Sequence, residues 1–204
     1  MMAVPDFFQQ VPTIKLHDGL SEFLGAVDDG YMEYSYADAV RLAGHSCPTV
    51  AGAYLMARAG LRELYPDSVP ERGNIEVTMS AENGDGTTGV IAQVFTLLTG
   101  AAAENGFHGI GGRFGRQGLL KYGSGDNSCI ASFRRLDNGK RVKLALDLST
   151  VPPDPAMSML FSRAMSPHAE PEDRKSFAAV WQDRVRRVLL DHADDTNVVL
   201  TEVS

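Results

Sequence analysis

Two cysteines, Cys47 and Cys129, stand in a chain of 204 residues. That is too few for a disulfide framework, so each thiol needs its own explanation. Positive charge is also scarce: 19 lysines and arginines against 26 acidic residues leave a formal net charge of -7, which argues against nucleic-acid capture by a uniformly basic surface. No apolar run approaches the roughly 18 residues of a membrane span. Residues 1–10 lack the basic opening and apolar stretch of a secretory signal. The expectation is a cytoplasmic protein with neither a nucleic acid nor a membrane as partner. Fixed-period repeats and low-complexity tracts are missing too, which sets aside solenoids and disordered tails. What is present, 44% hydrophobic and 22% charged residues, suffices for one packed core.

The clearest element follows Cys47. Residues Cys47, Val50, Tyr54, Ala57, Leu61 and Leu64 recur at steps of three and four, the spacing of one helix face. Pro48 suits the first helical position and Pro66 marks the exit, so a helix from Ser46 to Leu64 is expected against a sheet. Shorter helices are expected over residues 20–24 and 36–42, the second capped by Ser35 and ended by Gly44. "NIEVTMSA" at 74–81 alternates as a strand does. After "NGDGTT", residues 89–101 are apolar on nearly every side, as in a helix at the centre of a fold or at a subunit interface. "CIASFRRL" and "KRVKLALDL" read as a hairpin turned at Asn138-Gly139. "VPPDP" ends the core near residue 155, and the rest reads as helical, with a stripe through Phe177, Val180, Trp181, Val185, Val188 and Leu189. The fold class is α+β: helices packed on a mixed sheet over residues 1–155, with a C-terminal helical extension, residues 156–204, packed on that core.

Three groups of residues invite chemistry. Cys47 heads a helix, where the dipole and free N–H groups favour a thiolate, and His45 lies two residues upstream. The pair is read as metal-ligating, as a cysteine nucleophile with a histidine base, or as a small buried hydrophobe beside a loop histidine. His17 is the best candidate for a third metal ligand. His108 lies in a glycine-rich stretch, His168 at a solvated helix start and His192 near a helix C-terminus, and Cys129 opens a strand; none completes a site by spacing. Arg113, Arg116 and Lys121 lie among the glycines of residues 106–123, and that combination suits a carboxylate or phosphate.

The stretch "AGHSCPTVAGAYLMARAGL", a following strand, an apolar helix ending "LLTG" and the glycine-rich "GRQGLLKYG" resemble the E-type family of formylmethanofuran dehydrogenase proteins across roughly residues 35–150. The resemblance implies an α+β core, a homodimer, and a cleft with an associated divalent transition metal, most readily zinc, held by His45 and Cys47. Beside that metal a small anionic ligand is expected from the glycine-rich segment itself, with Arg113 or Arg116 orienting it. Some positions depart from the pattern. Ala43 stands where many relatives carry another histidine, Thr49 where they often have glycine, and no cysteine follows Cys129 to build the C-terminal zinc finger of some members.

Overall fold

The computed structural model describes residues 4–204. In chain order the elements are β1 (Ile14–His17), α1 (Gly19–Phe23), β2 (Tyr31–Tyr34), α2 (Tyr36–Ala43), α3 (Pro48–Leu64), β3 (Ile75–Met79), α4 (Thr88–Thr99), β4 (Leu120–Lys121), β5 (Ala131–Arg135), β6 (Arg141–Leu146), α5 (Met157–Ala164), α6 (Pro171–Arg186) and β7 (Val199–Val203). A 3-10 turn, Asp6–Gln10, precedes β1, and a π turn, Arg187–Asp191, extends α6.

Helix α3 begins two residues later than its apolar stripe predicts, because Cys47 is extended and serves as N-cap with Pro48 at the first turn. The expected face is buried, with Tyr54 at 0% and Leu61 at 1% exposure. Burial extends around the helix through Ala51, Gly52, Ala53 and Met56. Gly52 and Gly60 bring the sheet close: a Cβ on Gly52 would lie 2.2 Å from a Leu146 methyl, and one on Gly60 would lie 3.1 Å from a Leu144 methyl. Helix α2 has the predicted ends, a Ser35–Asp38 capping box and Gly44 in the left-handed region.

The main sheet runs β4-β3-β5-β6-β7. The β3–β4 pair is parallel and the other pairs are antiparallel, so the sheet is mixed as expected. Val77 lies opposite Phe133 and Phe133 opposite Val142, and all three are fully buried. The alternate residues face away from this core: Glu76 binds Lys121 at 2.6 Å and Arg134 at 3.1 Å. One buried and one wet face is the usual economy of a largely antiparallel sheet. The rings of Phe95 from α4 and Phe133 meet edge to face, centroids 4.9 Å apart, a geometry worth about 0.5–1.5 kcal/mol beyond area burial.

Three features depart from the sequence reading. Strands β1 and β2 form a separate antiparallel pair where only a short helix and a turn were expected. After residue 155 the chain is helical through the π turn, with Val185, Val188 and Leu189 buried, but β7 then returns to pair with β6. The last strand therefore belongs to the core sheet. Finally, Ile91, Ala92, Val94, Phe95 and Leu98 of α4 are buried within this one chain, while Gln93 is exposed. This helix is covered internally on most sides and open along one line, so its composition alone does not require a partner subunit.

Candidate functional site

The turn before α3 is held through Ser46. Its carbonyl accepts hydrogen bonds from Trp181 Nε1 at 2.9 Å and Gln182 Nε2 at 3.2 Å, and its hydroxyl lies 2.9 Å from Tyr36 Oη and 3.0 Å from Gln182 Oε1. Helix α6 thus clamps the residue between His45 and Cys47. The Cys47 Sγ accepts the Val50 backbone N–H at 3.4 Å and is nearly buried, at 8% exposure. His45 is exposed, and its Nδ1 donates to the Ala43 carbonyl at 2.9 Å, which leaves Nε2 without a protein partner among the described residues.

His17 is engaged elsewhere. Its Nδ1 lies 2.5 Å from Glu71 Oε2 and its Nε2 lies 3.3 Å from Glu22 Oε2. The hydrogen bond to Glu71, helped by the charges of Glu71 and Glu22, outweighs burial and raises its pKa. Two carboxylates favour the imidazolium, whereas a metal ligand must be neutral. Among the described residues no three His, Cys, Asp or Glu side chains are grouped to hold a metal ion. His45 and Cys47 offer two donors, fewer than the three or four a zinc site usually takes from protein. The described residues therefore do not make a fitting metal site within one chain.

The open line of α4 forms the floor of a cleft of about 680 Å³. Gly89, Gln93, Thr96 and Leu97 line that floor, Leu42 of α2 and Leu120 and Tyr122 stand at its walls, and residues 102–105 close one side. Arg72 also lines it. Its Nε donates to the Leu97 carbonyl at 3.1 Å and its Nη1 to Asp18 Oδ2 at 2.8 Å, with Nη2 3.5 Å from the Thr96 carbonyl. Three of five guanidinium donors are thereby engaged, and the cation sits at the C-terminus of α4, where the dipole favours it.

Asp18 organises this floor. It is 3% exposed, caps α1 by accepting the Leu20 and Ser21 N–H groups, and binds Arg116 Nη2 at 2.7 Å as well as Arg72. Burial pushes its carboxyl up, but the hydrogen bond from Arg72 and the charge of Arg116 outweigh that and hold it below the ordinary aspartate range. Arg116 is 6% exposed and lies against Gly73 and Gly100, whose φ angles are 90° and 75°. A Cβ there would come within 1.8 and 2.4 Å of Arg116 Nη1. Both glycines are required by backbone conformation and by this close approach.

Of the two arginines expected to orient a ligand, Arg116 is buried behind the cleft and Arg113 is exposed, stacked on Phe114 with 4.6 Å to the ring centroid. Neither lines the cleft, and His45 and Cys47 do not line it either. The glycine-rich segment contributes its wall, through Leu120 and Tyr122; the charged lining residues are Glu104 and Arg72, the latter paired with Asp18. Sequence reasoning missed Asp18 and Arg72, since Asp18 looked like part of a turn and Arg72 lies in an unpatterned loop. Gln93, a lone amide within an apolar helix, was the available signal for the open face.

No curated protein matches the chain. A family model described as FmdE, molybdenum formylmethanofuran dehydrogenase operon, matches residues 42–196, a span that includes α3, α4, the cleft wall and the clamping helix α6. Over most of its length, therefore, the chain belongs to the FmdE family.

Proposed function

We propose that this FmdE-family protein binds a small organic anion in the cleft along α4, with Arg72 as the residue that receives the carboxylate or phosphate. The observation that supports this most is the Arg72 guanidinium at the cleft floor, fixed by Asp18 and the α4 carbonyls with two donors to spare. A cation pre-oriented in this way loses little conformational freedom on binding. Leu42, Leu97 and Leu120 would cover an apolar body, and Asn83, Gln93 and Asn105 would bond polar substituents. The protein would act as a homodimer in the cytoplasm, where its two free thiols, Cys47 and Cys129, stay reduced.

Calorimetric titration with a panel of monocarboxylates tests the reading. Saturable one-site binding is expected, weakened at least about tenfold in Arg72→Gln. Ala103→Phe, which would add bulk to the cleft lining, should weaken it too. Unchanged affinity in both variants would refute the assignment.

A second reading is supported by the Cys47 Sγ at the α3 N-terminus: His45 and Cys47 would bind a zinc-like ion whose remaining ligands come from outside the chain. About one metal per chain in untagged protein, lost in Cys47→Ser, is expected on that reading, with affinity falling as acid protonates both donors. Equal metal content in Cys47→Ser and wild type would eliminate it. Cys47 as nucleophile with His45 as base would then be the remaining chemistry for the turn, and alkylation of Cys47 much faster than of Cys129 at neutral pH would be its signature.

A further inference from the structure

A separate recess of about 230 Å³ opens where β1 meets the C-terminal half of α3 and the loop that follows it. Lys15 lines it from β1, Arg58 and Arg62 from one face of α3, and Tyr65, Ser68 and Pro70 from the loop. It shares no residue with the cleft along α4. No carboxylate lines it, so three cations gather at one concave site in a chain whose net charge is -7.

The acids beside these cations do not neutralise them fully. Asp194 lines an adjoining recess and not this one, and its Oδ1 alone accepts from Nη1 of both arginines. Arg58 Nη1 also donates to the Ala193 carbonyl at 3.2 Å. Nε and Nη2 of each arginine are left without a protein partner among the described residues. Glu33 pairs in register with Lys15, but its carboxylate accepts the Thr13 hydroxyl. The Lys15 ammonium lies over the Tyr31 ring, 4.6 Å from the centroid, and no carboxylate is within ion-pair distance of it among the described residues.

The walls are fixed by hydrogen bonds of their own. Tyr54 Oη, one turn before Arg58, lies 2.9 Å from the Pro12 carbonyl and 3.0 Å from the Tyr34 carbonyl, and the His17 N–H donates to the Pro70 carbonyl at 2.9 Å. The Arg58 side chain is only 16% exposed, so little of its freedom remains to be lost on binding. A helix C-terminus repels anions, but the last carbonyls of α3 are occupied: Leu61 accepts the Tyr65 N–H, Glu63 the Lys140 ammonium and Leu64 the Arg135 guanidinium. Tyr65 supplies an observation independent of charge. It is 6% exposed, and its buried hydroxyl has no hydrogen-bond partner among the described residues, a condition that native structures rarely leave uncompleted.

We infer that this recess binds the phosphoryl group of a small phosphate compound, with the free Nε and Nη2 of Arg58 and Arg62 as the bidentate donors, Lys15 as a third cation and Ser68 as a neutral donor at the rim. Guanidinium forks match the spacing of phosphoryl oxygens. Three cations sharing the single Asp194 carboxylate leave an excess that a dianion matches and a monocarboxylate does not. The site is independent of the cleft assignment, because the two have no residue in common.

Amide chemical-shift titration of the full chain with inorganic phosphate and with glycerol 3-phosphate, using acetate as the monoanion control, tests this. Saturable perturbations are expected at residues 13–15, 58–62 and 65–70, with acetate leaving these amides unmoved at the same concentrations and added salt weakening the binding. The Lys15→Gln, Arg62→Gln double variant should bind at least about tenfold more weakly; both side chains are exposed, so its fold is expected to persist. Tighter binding of glycerol 3-phosphate than of phosphate would support a monoester as the ligand, and the reverse order would support the free ion. Acetate acting as phosphate does, affinity unchanged in the double variant, or phosphate perturbing only residues 89–97 and 102–105 would overturn the inference.

Discussion

The turn that leads into α3 and the loop that leaves it are both dense in polar contacts, yet they are built differently. The leading turn is centred on Ser46 and held by neutral hydrogen bonds from Tyr36, Trp181 and Gln182. Its chemically suggestive neighbours differ in setting: His45 lies in solvent, and Cys47 caps its own helix. The trailing loop carries Glu71 and Arg72, which join His17 and Asp18 across more than fifty residues of sequence, and Arg116 enters from still further along the chain. A short motif can mark a well-held turn, while a charged node that lines a cleft is assembled from residues that look ordinary one at a time.

If the charged node is the stiffer of the two, its disruption must cost more. Asp18→Ala leaves two guanidinium groups without their shared carboxylate, and breaking a buried pair in this way typically costs about 3–5 kcal/mol. Denaturant unfolding should show a loss of that order. A loss under about 1 kcal/mol would mean that water satisfies both arginines and that the node behaves as a surface pair. Gly73→Ala comes next: the side chain would be placed at positive φ and driven into Arg116, at an expected cost of about 2–3 kcal/mol. Thermal unfolding should show the decrease, and Arg116→Ala in the same background should remove the steric part of it.

On the other side of the comparison, Ser46→Ala removes the hydroxyl partner of the fully buried Tyr36 but keeps the carbonyl bonds to α6. About 1–2 kcal/mol is expected; a larger loss than Asp18→Ala would invert the ranking of the two regions.

The smallest effect is in pH dependence. Asp18 has a depressed folded pKa, so its contribution is present above about pH 4 and is lost as pH falls through the folded value. His17 has a raised one. Its contribution is complete below about pH 6.5 and disappears as pH rises through the folded value. Partial exposure limits the His17 effect to about 0.5 kcal/mol or less. A stability profile that declines slightly above neutrality and is flat in His17→Gln is expected; an undiminished slope in that variant would assign it to another group.

Much of the fold was legible because its signals are local. The α3 stripe, the Ser35 and Gly44 caps of α2 and the Asn138-Gly139 turn each act within a few residues, and each is found where the sequence places it. Strands β1 and β2 carry only four residues each, too short for alternation to stand out among Asp and Gly turns. Strand β7 follows a strong helical stripe, and only pairing with β6 reveals it as the edge of the sheet. The cleft was legible least of all. His17 is engaged by Glu71 and Glu22, and Arg116 is drawn inward by Asp18. None of these three attractions is visible as spacing, because each joins a histidine or arginine to an acid in a different element or loop.

Which of the two regions meets the ligand is the deciding question, and amide chemical-shift mapping answers it. Upon titration with a monocarboxylate that binds in calorimetry, perturbations are expected at residues 89–97, 102–105 and Arg72, with the amides of residues 44–50 unmoved. Perturbations centred on His45 and Cys47, with the α4 face unmoved, would place the ligand at the leading turn and refute the cleft assignment.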